Sequence, residues 1–483
     1  MKFKILLFTF FMCGIYSLTF AQNNPNFYLH ENGVTCMCPN AAVGETGTVN
    51  GIVYTKRIRE QITLENASTT CTSGITDMSF MFSNKSTFNE DISSWDVSKV
   101  TNMEGMFNIA TSFNQPIENW DVSSVTNMRV MFTSASMFNQ PIEIWNVSKV
   151  INMSYMFDRA LSFNQPIGNW DVSNVTNMNQ MFSNASSFNQ PIENWDVSNV
   201  TNMFNMFSKT KSFNQPIGKW NVSNVTNMEG MFAAATVFNQ PIGSWSVSSV
   251  TNMDGMFQGT TAFNQPIDSW DVSSVTDMFG MFRGSKVFNQ PIGSWNVSSV
   301  TNMSFMFSGA TVFNQPLGTW DVSKVINMSY MFDRASSFNQ PIANWNVSNV
   351  TNMDQMFSNA FSFNQPINTW CVKNITTEPS NFSSYSLDEH NKPKWGTCPT
   401  LSNDEFEWLN SNVSVYPNPF VNDLKVNVPE NVQVKQVQVI NNIGQTVYSA
   451  NTTELKLEHL QTGLYYLKIT TDKGIVNEKI IKN

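Results

Sequence analysis

The stretch FNQPIENWDVSNVTNMFNMFSKTKS, residues 188–212, decides the fold, because most of the chain is copies of it. Its tryptophan, Trp195, belongs to a set spaced 25 residues apart without a slip, from Trp95 through Trp220 and Trp270 to Trp370, with Trp395 in the same phase. A strict period of that length means one supersecondary unit stacked many times. Within the unit, Phe188, Ile192, Trp195, Val197, Val200, Met203, Met206 and Phe207 are the apolar positions. Trp195-Asp196-Val197 alternates as a short strand with one buried face does. Met203, Met206 and Phe207 follow the i, i+3, i+4 spacing of one helical face, and Asn202 stands where an N-cap would. Pro191 stops that helix and turns the chain back. The expected fold is therefore an α/β repeat solenoid, with a short parallel strand and a short helix in each 25-residue unit.

A lone unit cannot cover both flanks of its Trp and Phe rings, so neighbours must stack on it. Asn114, Asn139 and Asn164, from the Phe-Asn-Gln-Pro segments, are expected to bond backbone in the turns. After each tryptophan runs a series of acids, Asp96, Asp121, Asp171, Asp196, Asp271 and Asp321. Asn146, Asn221, Ser246, Asn296 and Asn346 fill the same position. Exchange among Asp, Asn and Ser fits a side chain closing an Asx-type turn; calcium bridging and catalysis are the weaker readings. A threonine column (Thr101, Thr126, Thr176, Thr201) is interrupted by Ile151 and Ile326, as suits ordinary strand positions rather than a flat ice-binding face.

The positions that vary between copies lie inside Met-x-x-Met. Tyr155, Phe204, Phe279, Phe305 and Tyr330 occur there, and aromatics on a rigid face are candidate contacts for a protein or glycan partner. The bland alternative is that they pack on adjacent units. Residues 148–178 and 323–353 are nearly identical at a separation of seven units, which points to duplication and suits a spacer or adhesive stalk.

These units resemble those of the BspA-like leucine-rich-repeat surface proteins, in the branch with an xFNxxIxxWDVSxVTxMxxMF unit, from Thr76 to about Trp370. The resemblance implies a right-handed, curved, leucine-rich-repeat-like solenoid and a role at bacterial surfaces, including adhesion. Met, Phe and Trp replace most of the leucines here.

The ends differ from the array. Lys2 and Lys4, the apolar run Ile5 to Leu18 and Thr19-Phe20-Ala21 read as a signal peptide over 1–21. Residues 22–75 break the period and form the expected N-terminal cap; 76–400 hold about twelve repeats and a C-terminal cap; 401–412 form a linker. After signal removal five cysteines remain, Cys36, Cys38, Cys71, Cys371 and Cys398, at the two ends of the array. An exported chain permits disulfides, and the expected bonds are Cys371–Cys398 and Cys71 with either Cys36 or Cys38. From Val413 the composition changes to alternating runs, giving an all-β sandwich of about seven strands over 413–483.

That last segment resembles the type A C-terminal sorting domain of the type IX secretion system. Tyr416-Pro417-Asn418-Pro419, Gly444, Gly463 and Lys479 carry the resemblance. It implies the type IX machinery as a partner and a secreted or outer-surface location in a Gram-negative member of the Bacteroidota.

A net charge of −9 with few charged residues excludes a basic stripe for nucleic acid, and no segment beyond the signal is long and apolar enough to span a bilayer. Only three histidines occur (His30, His390, His459), none in the array, and no nucleophile-elbow, zinc-protease, P-loop or dinucleotide motif is present. The expectation is a non-enzymatic binding or adhesion scaffold without a cofactor, its partner an extracellular protein or glycan. A purely structural stalk, and less so a polysaccharide-acting enzyme, are the alternatives.

Overall fold

The computed structural model describes residues 24–383, 386–399, 409, 411–442 and 444–483. The export signal read at 1–21 and residues 401–408 of the linker lie outside them. The chain divides into two compact units, one ending at Thr397 and one beginning at Cys398.

In the first unit the eight apolar positions of each repeat are all buried, including Trp195, which is 3% exposed. Indole rings stack in file: Trp195 and Trp220 lie 6.4 Å apart at 3°. A second file holds two phenylalanines per repeat, Phe182 and Phe188 at 4.0 Å within one turn of the stack and Phe182 and Phe207 at 5.7 Å between turns. Each buried indole N–H has an acceptor one repeat back; Trp195 Nε1 donates to Ile167 O at 3.0 Å. Leaving that group unpaired in an apolar interior would cost about 1–3 kcal/mol, so the same bond recurs from Trp120 to Trp370.

The α/β reading of the unit is overturned. None of the described residues from Thr72 to Asp388 is helical, and Trp195-Asp196-Val197 is not a strand. The Trp195 N–H is committed to a tight turn with Ile192 O (3.2 Å), and Val200 closes a second turn on Val197 O (2.9 Å). Only a short extended link remains between them. Parallel pairing between repeats is confined to single bridges, Asn177 to Asn202 to Asn227 and their equivalents.

The helix fails for a related reason. An α-helix sends every N–H back four residues. Here Met203, Asn205, Phe207 and Lys209 donate instead to Asn227, Glu229, Met231 and Ala233 of the next repeat, at 2.6–3.0 Å. The intervening Met206, Ser208 and Thr210 close turns on Met203, Asn205 and Phe207. Asn205 (φ 51°) and Lys209 (φ 59°) are left-handed, which no α-helix accepts. Asn202 does cap a backbone N–H, that of Phe204 at 3.0 Å, but it opens a turn. The i, i+3, i+4 spacing located the buried side chains and misjudged the backbone carrying them.

At the start of the array, residues 24–75 supply what a preceding repeat would. A hairpin pairs β1 (Tyr28–Leu29) with β2 (Cys36–Met37); β3 (Thr46–Val49) runs antiparallel to β4 (Ile52–Lys56), which runs parallel to β5 (Thr70–Cys71). Ala67 O accepts the Trp95 indole at 2.9 Å, Thr72 Oγ1 donates to Asp96 O at 2.9 Å, and the Arg59 guanidinium donates to Ser79 O. Cys38 is bonded to Cys71, Cys36 is a buried free thiol, and Cys371 and Cys398 are both disulfide-bonded.

The second unit is β throughout its described strands: β6 (Ser414–Tyr416), β7 (Asp423–Asn427), β8 (Val434–Asn441), β9 (Thr446–Ala450), β10 (Glu454–Lys456), β11 (Gly463–Thr471) and β12 (Ile475–Lys482). They form antiparallel sheets in the orders β10-β7-β6 and β12-β11-β8-β9. Alternation in the sequence becomes alternation in burial: Leu424 and Val426, Val437 and Val439, Leu467 and Ile469 point inward.

Candidate functional site

Between buried methionines such as Met203 and Met206 stand two residues that are half-buried where they are large and buried where they are serine or glycine, as at Ser154 and Ser304, and the second of the two takes the left-handed conformation. Tyr155 (φ 59°), Phe305 (φ 59°) and Tyr330 (φ 57°) occupy that second position. Phe204 and Phe279 occupy the first. All five are half-buried rather than fully exposed.

Three of the five come together. Phe279 meets Phe305 at 5.5 Å with the rings tilted by 53°, and Phe305 stacks on Tyr330 at 4.3 Å and 7°. The Arg283 guanidinium lies 4.7 Å from the Phe305 ring centre, within cation–π range. Gln355 Nε2 donates to the Tyr330 hydroxyl at 2.5 Å. Beside this cluster is a hollow of about 340 Å³ bounded by Arg283, Phe305, Tyr330, Arg334 and Gln355, with Gly284 and Gly309 in its lining. Asp333 is 8% exposed and accepts from Ser308 Oγ at 3.4 Å, whereas the Arg334 side chain is 74% exposed. Tyr155 stands seven repeats away with Gln180 on its hydroxyl (3.1 Å) and Arg129 at 6.0 Å from its ring centre. Phe204 joins neither group among the described residues.

Arg283, Gln355, Gly284 and Gly309 escaped the sequence reading, which took the aromatics of Met-x-x-Met as the contacts. The signal was present: Gly105, Gly230, Gly255 and Gly280 mark the left-handed position of Met-x-x-Met, and Gly259, Gly284 and Gly309 mark the next one. Phe80, 46% exposed in the first repeat, was passed over as well.

The acidic series closes turns. Asp196 Oδ1 accepts the Ser198 N–H at 3.0 Å, Asn221 accepts that of Ser223 at 3.2 Å, and Asn346 that of Ser348 at 3.2 Å. The serine hydrogen bonds hold the carboxyls of Asp196, Asp271 and Asp321 below their ordinary value. Asp158 differs: burial raises its pKa, and its Oδ1 has no partner. The Phe-Asn-Gln-Pro asparagines bond between repeats, Asn189 Oδ1 accepting the Asn214 N–H at 3.0 Å. Thr201 sends both its N–H (3.0 Å) and its hydroxyl (3.3 Å) to Thr176 O.

In the second unit the motif residues do meet. Asn418 Nδ2 donates to Lys479 O at 2.7 Å, while Asn418 Oδ1 accepts the Ile481 N–H at 2.9 Å. Phe420 N–H donates to Ile481 O at 2.9 Å. Tyr416-Pro417-Asn418-Pro419 thus fastens the start of the unit to its last strand. Gly444, with φ 83°, sits in the turn bounded by Asn441 and Gln445, and Gly463 begins β11.

These features define a stacked-repeat protein with a separate sorting unit. Four overlapping matches, over residues 55–167, 141–239, 214–312 and 285–395, place the chain in the family described as "Mycoplasma protein of unknown function, DUF285", to which it belongs. Residues 414–483 match the secretion system C-terminal sorting domain. That domain addresses the chain to the type IX machinery and to the cell surface or exterior of a member of the Bacteroidota. Among the described residues no helix is long and apolar enough to cross a membrane. The chain is also similar to ulvan lyase NLR42 of Nonlabens ulvanivorans, 26% identical over 110 residues; the match covers 22% of this chain and 20% of the lyase.

Proposed function

We propose that the protein is an extracellular binding scaffold whose repeat array engages a polysaccharide or protein through the face formed by the Met-x-x-Met turns. One observation carries this reading: core positions repeat almost unchanged, while the pair inside Met-x-x-Met varies, and its aromatics gather around Phe305 beside Arg283 and Arg334 of the turn that follows. A repeat stack offers such a face at low cost, because its core is supplied by neighbours and leaves the outward positions free to vary. We read the array as non-catalytic, since the acids that recur after tryptophan are engaged in turn hydrogen bonds. The ulvan lyase shares only a fifth of its length with the chain, so its activity is not transferred.

The near identity of residues 148–178 and 323–353 favours a second reading, a stalk that grows by whole repeats. Screening the full chain against immobilised glycans and extracellular matrix proteins separates the two. A binding scaffold gives saturable binding that survives removal of the sorting unit; a stalk gives none.

A further inference from the structure

We propose that the trough between Arg283 and Arg334 binds a linear polysaccharide bearing anionic groups, carboxylates or sulfate esters. The proposal deepens the scaffold reading and rests on it. Its starting point is a run of three glycines, Gly259, Gly284 and Gly309, stacked directly on one another with φ of 68–72°. A Cβ added at Gly309 would lie 3.5 Å from the Gly284 Cα. In other repeats this position carries Ile109, Ser134, Arg159, Asn184, Lys209, Arg334 and Asn359. The glycine run therefore leaves a channel without side chains across three successive repeats, and Arg334 closes one end.

The channel has an aromatic wall and a cationic rim. Phe305 and Tyr330 stand along it, with the Arg283 guanidinium beside Phe305. Arg283 makes no ion pair among the described residues. Arg334 has only a distant one, 3.8 Å to Asp333, whose side chain is 11% exposed and accepts from Ser308 Oγ. The charge presented outward is that of the two guanidiniums. Planar guanidiniums bind carboxylate and sulfate oxygens in pairs, and the half-buried Phe305 and Tyr330 add apolar surface against which sugar C–H groups can pack. Repeats joined by backbone hydrogen bonds rise about 4.8 Å each, a step comparable to one sugar in an extended chain. A linear polymer can thus follow the channel in register.

The duplicated block supplies a comparison within the molecule. Tyr155, Asp158, Arg159 and Gln180 repeat the set Tyr330, Asp333, Arg334 and Gln355. There, however, Asn108, Ile109, Val130 and Ser134 replace Arg283, Gly284, Phe305 and Gly309, and Arg129 is paired with Glu104 at 2.6 Å. The channel is filled and the second free guanidinium is missing. The first block is therefore not a site.

Isothermal titration of the full chain with alginate, dextran sulfate and neutral dextran tests this. Saturable, salt-sensitive binding is expected for alginate, dextran sulfate or both, which distinguishes carboxylate from sulfate recognition, and none for dextran. Arg283→Ala and Arg334→Ala should each weaken binding at least about tenfold, the loss of one charge-assisted contact. Arg159→Ala should leave it unchanged. Gly309→Asn, which tolerates the left-handed backbone, should block the channel at an unchanged melting temperature. Equal binding to dextran, indifference to Arg283→Ala and Arg334→Ala, or the same loss in Arg159→Ala overturns the proposal. If the chain binds another glycan or protein while these variants are silent, the channel is refuted and the scaffold stands. If it binds nothing, both fall.

Discussion

Replacing Trp270 in the middle of the stack tests how the array holds together. Its ring lies 6.4 Å from both Trp245 and Trp295 and 6.2 Å from Phe257, and its Nε1 donates to Ile242 O at 3.2 Å. Trp270→Ala removes an indole that is 97% buried, at about 3–5 kcal/mol for the cavity. It also removes one of the two hydrogen bonds to Ile242 O, which keeps the Trp245 N–H at 3.1 Å, adding about 0.5–1.5 kcal/mol. The sum, about 3.5–6.5 kcal/mol, falls on contacts with both neighbours, so coupling across the repeat is lost. Scanning calorimetry of the full chain should then show the array transition split in two, and limited proteolysis should cut near position 270. Trp270→Phe keeps a ring in the file and loses one hydrogen bond, so it should cost about 0.5–1.5 kcal/mol on that account and preserve one array transition. A loss below about 2 kcal/mol for Trp270→Ala, or an undivided transition, would refute nearest-neighbour stacking as the source of stability.

Three further outcomes follow from the geometry. Burial, with Glu229 and Asp277 nearby, raises the Asp254 carboxyl from its ordinary 3.8 to about 6. Below 3.8 the folded and unfolded chains are both protonated there and nothing is lost; between 3.8 and about 6 the unfolded chain ionises while the folded one resists, so stability falls across that window and is level above it, by less than the full shift because the half-buried carboxyl is screened by solvent. Asp254→Asn should therefore raise the melting temperature at pH 7.5 and have little effect at pH 3.5, and an equal gain at both would contradict the assignment. Val130 is β-branched at φ 50°, an unfavourable combination, so Val130→Gly should stabilise the array by about 1 kcal/mol in urea titration. Cys36 is buried with its thiol pushed up to about 12, so iodoacetamide at pH 8 should leave it unmodified in the folded chain and alkylate it after denaturation, as mass spectrometry would read.

Trp195, Phe207 and their equivalents were legible as core because burial depends on which residues are apolar and on their period. The backbone between them was not. Met203, Met206 and Phe207 share one face in an α-helix and equally in successive tight turns, and the spacing of three side chains cannot separate the two. Glycines at 105, 230, 255 and 280 held the deciding information, since a helix disfavours what a left-handed turn requires. In the sorting unit the period of two was unambiguous at Leu424 and Val426 and faint in β9, Thr446–Ala450, which has no fully buried residue. At the candidate site Phe279, Phe305 and Tyr330 were named from their column. Arg283 was not, because it acts on the Phe305 ring of the next repeat and no local pattern displays that, whereas the glycine column of Gly259, Gly284 and Gly309 was there to be read.

The amides of the turn segment carry an electrical consequence. Met78 donates to Asn102 O, Met103 to Asn127 O, Met128 to Asn152 O, and so on, in four parallel files. Every peptide in those files points the same way, as in an α-helix, where aligned peptides sum to a macrodipole. One further file runs the other way, Thr101 N–H to Thr76 O and its equivalents, so the four leave a net polarisation with its negative pole at the first repeat and its positive pole at the last. Arg59 places a cation on Ser79 O at the negative pole. Insertion or loss of a whole repeat leaves both poles intact, so evolution can lengthen or shorten the stack without redesigning either terminus.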